Sequence, residues 1–250
     1  MATHPFLDHP GPIPMAHRGG AGDWPENTMP AFEGAVRLGY RYVETDVHVT
    51  ADGVLLAFHD DRLDRVTDRR GLIRDLPYSE VKRARVAGRE PIPLLADILG
   101  TWPDLHVNID PKHDSAVDAL AAVLAATNAL DRVCIGSFSD KRIARLRQRF
   151  GTRLCTSLGP VGVARLRAAS FGAPTGRFDA HCVQVPPNRK VRLVDERFIR
   201  TAHERELAVH VWTIDDPAQM HSLLDLGVDG IMTDRPAVLK QVLEQRGAWY

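Results

Sequence analysis

Cysteine is scarce: Cys134, Cys155 and Cys182 are the only three in 250 residues, an odd number, widely spaced and without a CxxC pair. That usage argues against a disulfide scaffold and against a cysteine-based zinc site. Long apolar runs are missing as well. None approaches the roughly 20 residues that a membrane helix needs, and Met1 to Pro14 carries five Pro or Gly residues where a signal peptide would have an apolar core. Net charge is absent, with 32 basic residues against 32 acidic ones, which disfavours a globally basic nucleic-acid binder. Nor do aromatics interleave with a basic stripe. No low-complexity tract or Gly/Ser linker marks a domain boundary. With 44% apolar and 26% charged residues the chain can bury a full core, so a single cytoplasmic domain over 1–250 is expected.

Short apolar runs alternate with helical patterns. Ile13–His17 precedes an apolar-periodic stretch from Thr28 to Leu38, for which Asn27 or Thr28 is the cap. Tyr42–Val47 is a second strand, and Leu105–Ile109 a third, ahead of the helix Ser115–Ala126. Val133–Gly136, Arg153–Thr156, His181–Val185, Ala208–Ile214 and Val228–Met232 supply five more, each followed by a helical stretch. Counting a helix near Leu94–Leu99, these are eight strand-then-helix units. Such alternation implies a parallel sheet with right-handed crossovers and, at this length, an α/β (β/α)₈ TIM barrel. An open doubly wound sheet usually offers a GxGxxG loop after its first strand; His17-Arg-Gly-Gly-Ala-Gly22 lacks that spacing.

After the second strand the chain enters a hairpin, not a helix, around Asp52-Gly53. With Ala51 and Val54 as the flanking pair, Asp46 faces His59; a three-residue loop would slip the register and put Thr45 there. The Arg-rich stretch 61–93 then reads as an inserted cap segment over the barrel mouth, or equally as a solvated excursion.

Barrel enzymes build their sites at the C-terminal ends of the strands. The polar residues expected there are His17-Arg18, Glu44 and Asp46 (two apart and so on one face), His59, Asp110 and Lys112, Trp212-Thr-Ile-Asp-Asp216, and Thr233-Asp234-Arg235. Three acids with no cysteine nearby suit Mg²⁺, Ca²⁺ or Mn²⁺. Such an ion flanked by Arg18 and Lys112 makes a place for phosphate, and two histidines can pass protons to and from phosphoester oxygens. Plainer roles compete. Glu44 and Asp46 could pair with a barrel arginine. Asp215-Asp216 and Thr233-Asp234, each just before a proline-led helix, read as N-caps. Arg142, Arg145 and Arg149 read as a solvated helix face.

His17-Arg-Gly19, Pro25-Glu-Asn-Thr28, Glu44-Thr-Asp-Val47, Thr50-Ala-Asp-Gly53, Phe58-His-Asp60, Val211-Trp-Thr213 and Gly227 to Asp234 stand in an order that resembles the glycerophosphodiester phosphodiesterases. The resemblance implies a TIM barrel with an insertion after the second strand. It also implies metal-dependent cleavage of glycerophosphodiesters to glycerol 3-phosphate and an alcohol. By the same likeness His17 and His59 are the acid/base pair, Arg18 and Lys112 bind phosphate, and Trp212 lines the pocket for the glycerol or alcohol moiety. Glu44, Asp46 and Asp110 would hold a divalent cation, Mg²⁺ or Ca²⁺; where the family usually carries glutamate this chain has Asp110, one methylene shorter. The competing expectations are a related barrel phosphodiesterase acting on lysophospholipids or sphingolipids, and a catalytically silent phosphate-binding barrel. The charged 61–93 stretch, poor in large apolar residues, favours soluble head-group diesters. The expected partner is a small-molecule glycerophosphodiester, with no nucleic acid and no stable membrane anchor.

Overall fold

A computed structural model of the chain describes residues 4–187 and 193–250. In chain order run β1 (Ile13–Ala16), α1 (Met29–Arg37), β2 (Tyr42–Val49), β3 (Leu55–Ala57), α2 (Tyr78–Val81), β4 (Arg85–Val86), β5 (Glu90–Pro91) and α3 (Leu95–Thr101). Then follow β6 (His106–Pro111), α4 (Ala116–Ala126), β7 (Val133–Ile135), α5 (Asp140–Phe150), β8 (Cys155–Thr156), α6 (Pro160–Ala169) and β9 (Cys182–Val185). The last elements are α7 (Glu196–His203), β10 (Ala208–Val211), α8 (Pro217–Asp225), β11 (Gly230–Thr233) and α9 (Pro236–Gln245).

Eight strands pair in parallel in the order β8-β7-β6-β2-β1-β11-β10-β9. The remaining gap closes where the His181 amide donates to the Thr156 carbonyl at 3.0 Å and the Leu158 amide to that of Cys182 at 2.9 Å. This is the (β/α)₈ barrel that the alternation implied. Its strands are buried on both faces, as all-parallel sheets are. Val43, Val47 and Val49 of β2 pack outward with Phe32 of α1, Leu95 of α3 and Leu120 of α4. Tyr42 of the same strand points inward, to Met15, Met232 and the three cysteines, and Phe6 plugs that end edge-on to Tyr42 at 5.4 Å.

Helix starts follow their chemistry. Thr28, Ser139, Asp195 and Asp216 each accept from the backbone N–H three residues on, so one otherwise orphaned donor is satisfied at every such start. Arg142 is more than a solvated face: it donates to Asp114 Oδ1 at 2.7 Å and to the Pro111 carbonyl at 3.0 Å, tying α5 to the end of β6. Arg145 reaches the Asp114 carbonyl at 3.1 Å in the same way.

The hairpin takes the slipped register. Val47 faces Ala57 and Val49 faces Leu55, with Ala51-Asp52-Gly53 as a three-residue loop, so Asp46 does not face His59. Gly53 has φ +85°, the left-handed residue that this longer loop requires. The 61–93 insertion packs Leu63, Ile73, Val81, Val86 and Ile92 onto Leu56 and Phe58, a satellite core of its own. None of the described residues lining the barrel-mouth cavity comes from it.

Candidate active site

The C-terminal ends of the strands surround a cavity of about 360 Å³. His17, Arg18, Glu44, Asp46, His59, Asp110, Lys112 and Trp212, the eight to which the family resemblance gives roles, line it, whereas Asp215, Asp216, Thr233, Asp234 and Arg235 do not. On β1 the chain turns sharply after Ala16: Arg18 has φ +52° and Gly19 φ +80°. A Cβ on Gly19 would lie 2.9 Å from the Phe32 amide nitrogen and 2.8 Å from Ala31 Cβ, so this turn needs glycine for both dihedral and space. It aims His17 and Arg18 into the mouth. The Arg18 amide donates to Glu44 Oε2 at 3.2 Å, and its guanidinium donates to Glu26 Oε1 at 3.1 Å.

Asp46 is the electrostatic centre. It sits beside Asp110 in the β2–β6 register, and the Lys112 ammonium bridges the two, at 2.6 Å from Asp46 and 2.8 Å from Asp110. Arg18 Nε stands 3.2 Å from Asp46 Oδ2, though not aligned for a hydrogen bond, and Asn27 donates to the same oxygen at 3.3 Å. Burial pushes the Asp46 carboxyl up, but Lys112 and Arg18 outweigh it and hold the group below its ordinary range. Glu44 differs: burial first, then the charge of Asp46, push it up to about 7. Burial also raises Asp110, against the pull of Lys112.

The carboxylates suit a hard divalent cation. Asp110 Oδ1 is buried with no hydrogen-bond partner, and Glu44 has no full positive charge bonded to it. They do not, however, converge on a point. Among the described residues the one grouping of three ligand atoms within 4.8 Å is the cysteine trio, not these acids. Lys112 stands between Asp46 and Asp110.

Both histidines are held by a carboxylate. His17 Nδ1 lies 2.6 Å from Asp234 Oδ1, and His59 Nδ1 lies 2.6 Å from Asp60 Oδ1. A carboxylate accepts, so each Nδ1 carries hydrogen and each Nε2 is left for chemistry. Burial lowers the His17 pKa, but the Glu44 charge and the Asp234 bond more than reverse that. Asp234 is the residue that reading it as a helix cap missed. The α9 cap, Arg235, makes no side-chain bond, while Asp234 serves His17 and has its own amide bound by Asp215 Oδ1 at 2.8 Å. Asp216, by contrast, caps α8 as expected.

Behind His59 runs a chain of charges. Asp60 accepts twice from Arg65 of the insertion, at 2.6 and 3.0 Å, and Arg65 also pairs with Glu26, which holds Arg18. Burial raises the Asp60 carboxyl, but the bonds from Arg65 and His59 prevail and bring it from 3.8 to about 2. A folded-state value below the unfolded one means that the pairing stabilises the protein above pH 3.8 and loses that effect as pH falls towards 2. The stability gap between wild type and Asp60→Asn is therefore expected to shrink over that interval. Urea unfolding at several acid pH values checks it, and a gap that is flat with pH contradicts it.

The opposite wall of the cavity is apolar, formed by Phe138, Leu158, Val163, Leu193 and Trp212, with Phe138 edge-on to Trp212 at 5.7 Å. No helix among the described residues is long and apolar enough to cross a membrane.

Comparison with known proteins follows the same lines. The Glycerophosphoryl diester phosphodiesterase family is matched over residues 17–238. A Mycobacterium tuberculosis protein named "Probable glycerophosphodiester phosphodiesterase 2" is 40% identical over 254 residues, 99% of this chain and 96% of its own length. Among solved structures, the glycerophosphoryl diester phosphodiesterase domain of another M. tuberculosis protein aligns with TM-score 0.82 at 22% identity, over 94% of this chain and 99% of that one. An Oleispira antarctica phosphodiesterase in complex with the product sn-glycerol-3-phosphate aligns with TM-score 0.77 at 21% identity, over 94% and 97%.

Proposed function

The chain belongs to the glycerophosphoryl diester phosphodiesterase family, and on that premise we propose that its barrel mouth hydrolyses glycerophosphodiesters to glycerol 3-phosphate and an alcohol. The observation that carries this is the pair of carboxylate-held imidazoles, His17 and His59, in one cavity with Arg18, Lys112 and three acids. Glu44, Asp46 and Asp110 would hold Mg²⁺ or Ca²⁺, which when bound supplies positive charge to the phosphoryl oxygens and to the nucleophile. Arg18 and Lys112 orient the phosphate by charge. One Nε2 takes the proton of the attacking oxygen, either of water directly or of the glycerol hydroxyl with water then opening the cyclic phosphate, and the other gives a proton to the departing alkoxide, so the diester is cleaved without a free alkoxide forming. Trp212 walls the side where the alcohol rests. The product held by the Oleispira antarctica phosphodiesterase supports glycerol 3-phosphate as the phosphate-bearing fragment.

A second reading, lysophospholipid cleavage, is favoured by the apolar wall. The charged insertion was the reason to expect soluble head groups, yet it does not line the cavity, whereas Phe138, Leu158, Val163 and Leu193 do. Rates on glycerophosphocholine and lysophosphatidylcholine, each with glycerol 3-phosphate or its acyl form as the measured product, separate the two. A soluble-diester enzyme is at least tenfold faster on the first at equal concentration; the reverse order overturns that choice, and no product from either overturns both.

A further inference from the structure

Opposite the mouth, the barrel gathers what the sequence scatters. Cys134, Cys155 and Cys182 open or centre three adjacent strands, β7, β8 and β9, and all three thiols turn inward with no solvent exposure. Their sulfurs lie within 4.8 Å of one another, with Cys134 Sγ and Cys182 Sγ 3.7 Å apart. Bonds of roughly 2.3 Å to a tetrahedral centre set sulfurs about 3.8 Å apart, so this edge already has the length a metal-thiolate site needs. The absence of a CxxC pair argued against such a site; strand adjacency replaces the motif.

A second observation points to the same place. His210 of β10 is fully buried, its ring lies against Cys182, and its Nε2 has no hydrogen-bond partner. Gly230 makes room for it, since a Cβ there would stand 2.9 Å from His210 Cδ2. His210 Nδ1 is 3.4 Å from Gln184 Nε2, and Gln184 in turn donates to Asn108 at 2.8 Å on the cavity floor. His210 is not among the three ligand atoms that lie within 4.8 Å of one another, so it stands beside the site and is not counted as one of its ligands. A cavity of about 1110 Å³ at the β8–β9 seam is lined by Leu154, Thr156 and His181, the chain neighbours of Cys155 and Cys182, but by none of the three cysteines, which is why refolding belongs in the test.

We propose that Cys134, Cys155 and Cys182 form a buried site for one thiophilic d¹⁰ cation of the Zn²⁺ or Cu⁺ class, separate from the hard-cation site at the mouth. Soft thiolates select such ions over Mg²⁺ and Ca²⁺. Binding exchanges the thiol protons for the metal, and those protons leave to solvent, so affinity falls as pH falls.

Cadmium is the probe. Reduced protein, incubated or refolded with Cd²⁺, is expected to develop sulfur-to-cadmium charge-transfer absorption that saturates at one equivalent and is lost when Cu⁺ displaces the cadmium. Glu44→Gln keeps the band, because oxygen ligands give none, and Cys155→Ala loses it. Cadmium NMR of the wild-type protein gives the same answer without a variant, since its shift counts sulfur ligands. A spectrum with only oxygen ligation, no band after refolding, or a band undiminished in Cys155→Ala overturns the site and leaves the thiols as core packing.

Discussion

Alanine at His17 or at His59 is expected to lower kcat by roughly 10²–10⁴-fold for each variant, the range by which a positioned acid or base accelerates proton transfer. Both losses follow from the same geometry. Each imidazole has its Nδ1 fixed at 2.6 Å from a carboxylate and offers its Nε2 to the cavity. No other imidazole lines that cavity among the described residues, so neither has a substitute. The fold should stand. The His59 side chain is 33% exposed, and the His17 side chain, 15% exposed, lines the cavity, where its Asp234 partner is 30% exposed and still meets water after truncation. Steady-state kinetics with circular dichroism on the same samples checks both halves. Near wild-type turnover in either variant removes that histidine from the chemistry.

Asp46→Ala should cost both activity and stability. Its carboxylate meets Lys112 at 2.6 Å, Arg18 at 3.2 Å and Asn27 at 3.3 Å, with its own side chain only 2% exposed. Removing one partner of a buried pair leaves the other charges uncompensated, at about 3 kcal/mol or more. The low end fits here, because Lys112 keeps Asp110 and a fifth of its side chain meets water. For a chain of this size that corresponds to a fall in Tm of roughly 6–12 °C. Activity should fall at least as far as in the histidine variants, since the same residue is proposed to hold the cation. Asp46→Asn keeps the shape and much of the hydrogen bonding, so it is expected to recover part of the Tm and little of the turnover. Differential scanning calorimetry beside kinetics makes that split visible; equal recovery of both would mean that the role is structural only.

Much of this was legible in the residues. Period and length were enough for the barrel, because apolar runs buried on both faces and capped amphipathic helices leave few other packings. The face-sharing of Glu44 with Asp46, and of Asp110 with Lys112, follows from the two-residue repeat of a strand, and both pairs do line the mouth. What escaped depends on the third dimension. Asp234 looks like a helix cap by position, and only the β1–β11 pairing, which sets Ala16 beside Thr233, brings it to His17. The hairpin slip turns on one residue of loop length, which Asp52-Gly53 does not fix. The bridging of Asp46 and Asp110 by Lys112 needs the β2–β6 register. The cysteines are 21 and 27 residues apart in the chain, yet stand side by side because barrel strands recur at such intervals.

Glycerophosphocholine turnover, followed as glycerol 3-phosphate and choline in the presence of chelator and after Mg²⁺ or Ca²⁺ is restored, addresses the mouth as a whole. The two products should appear in equal amounts, vanish with chelator and return with the ion. Turnover that persists when hard cations are removed, or products that never form with either ion present, would contradict a carboxylate-bound cation working between His17 and His59.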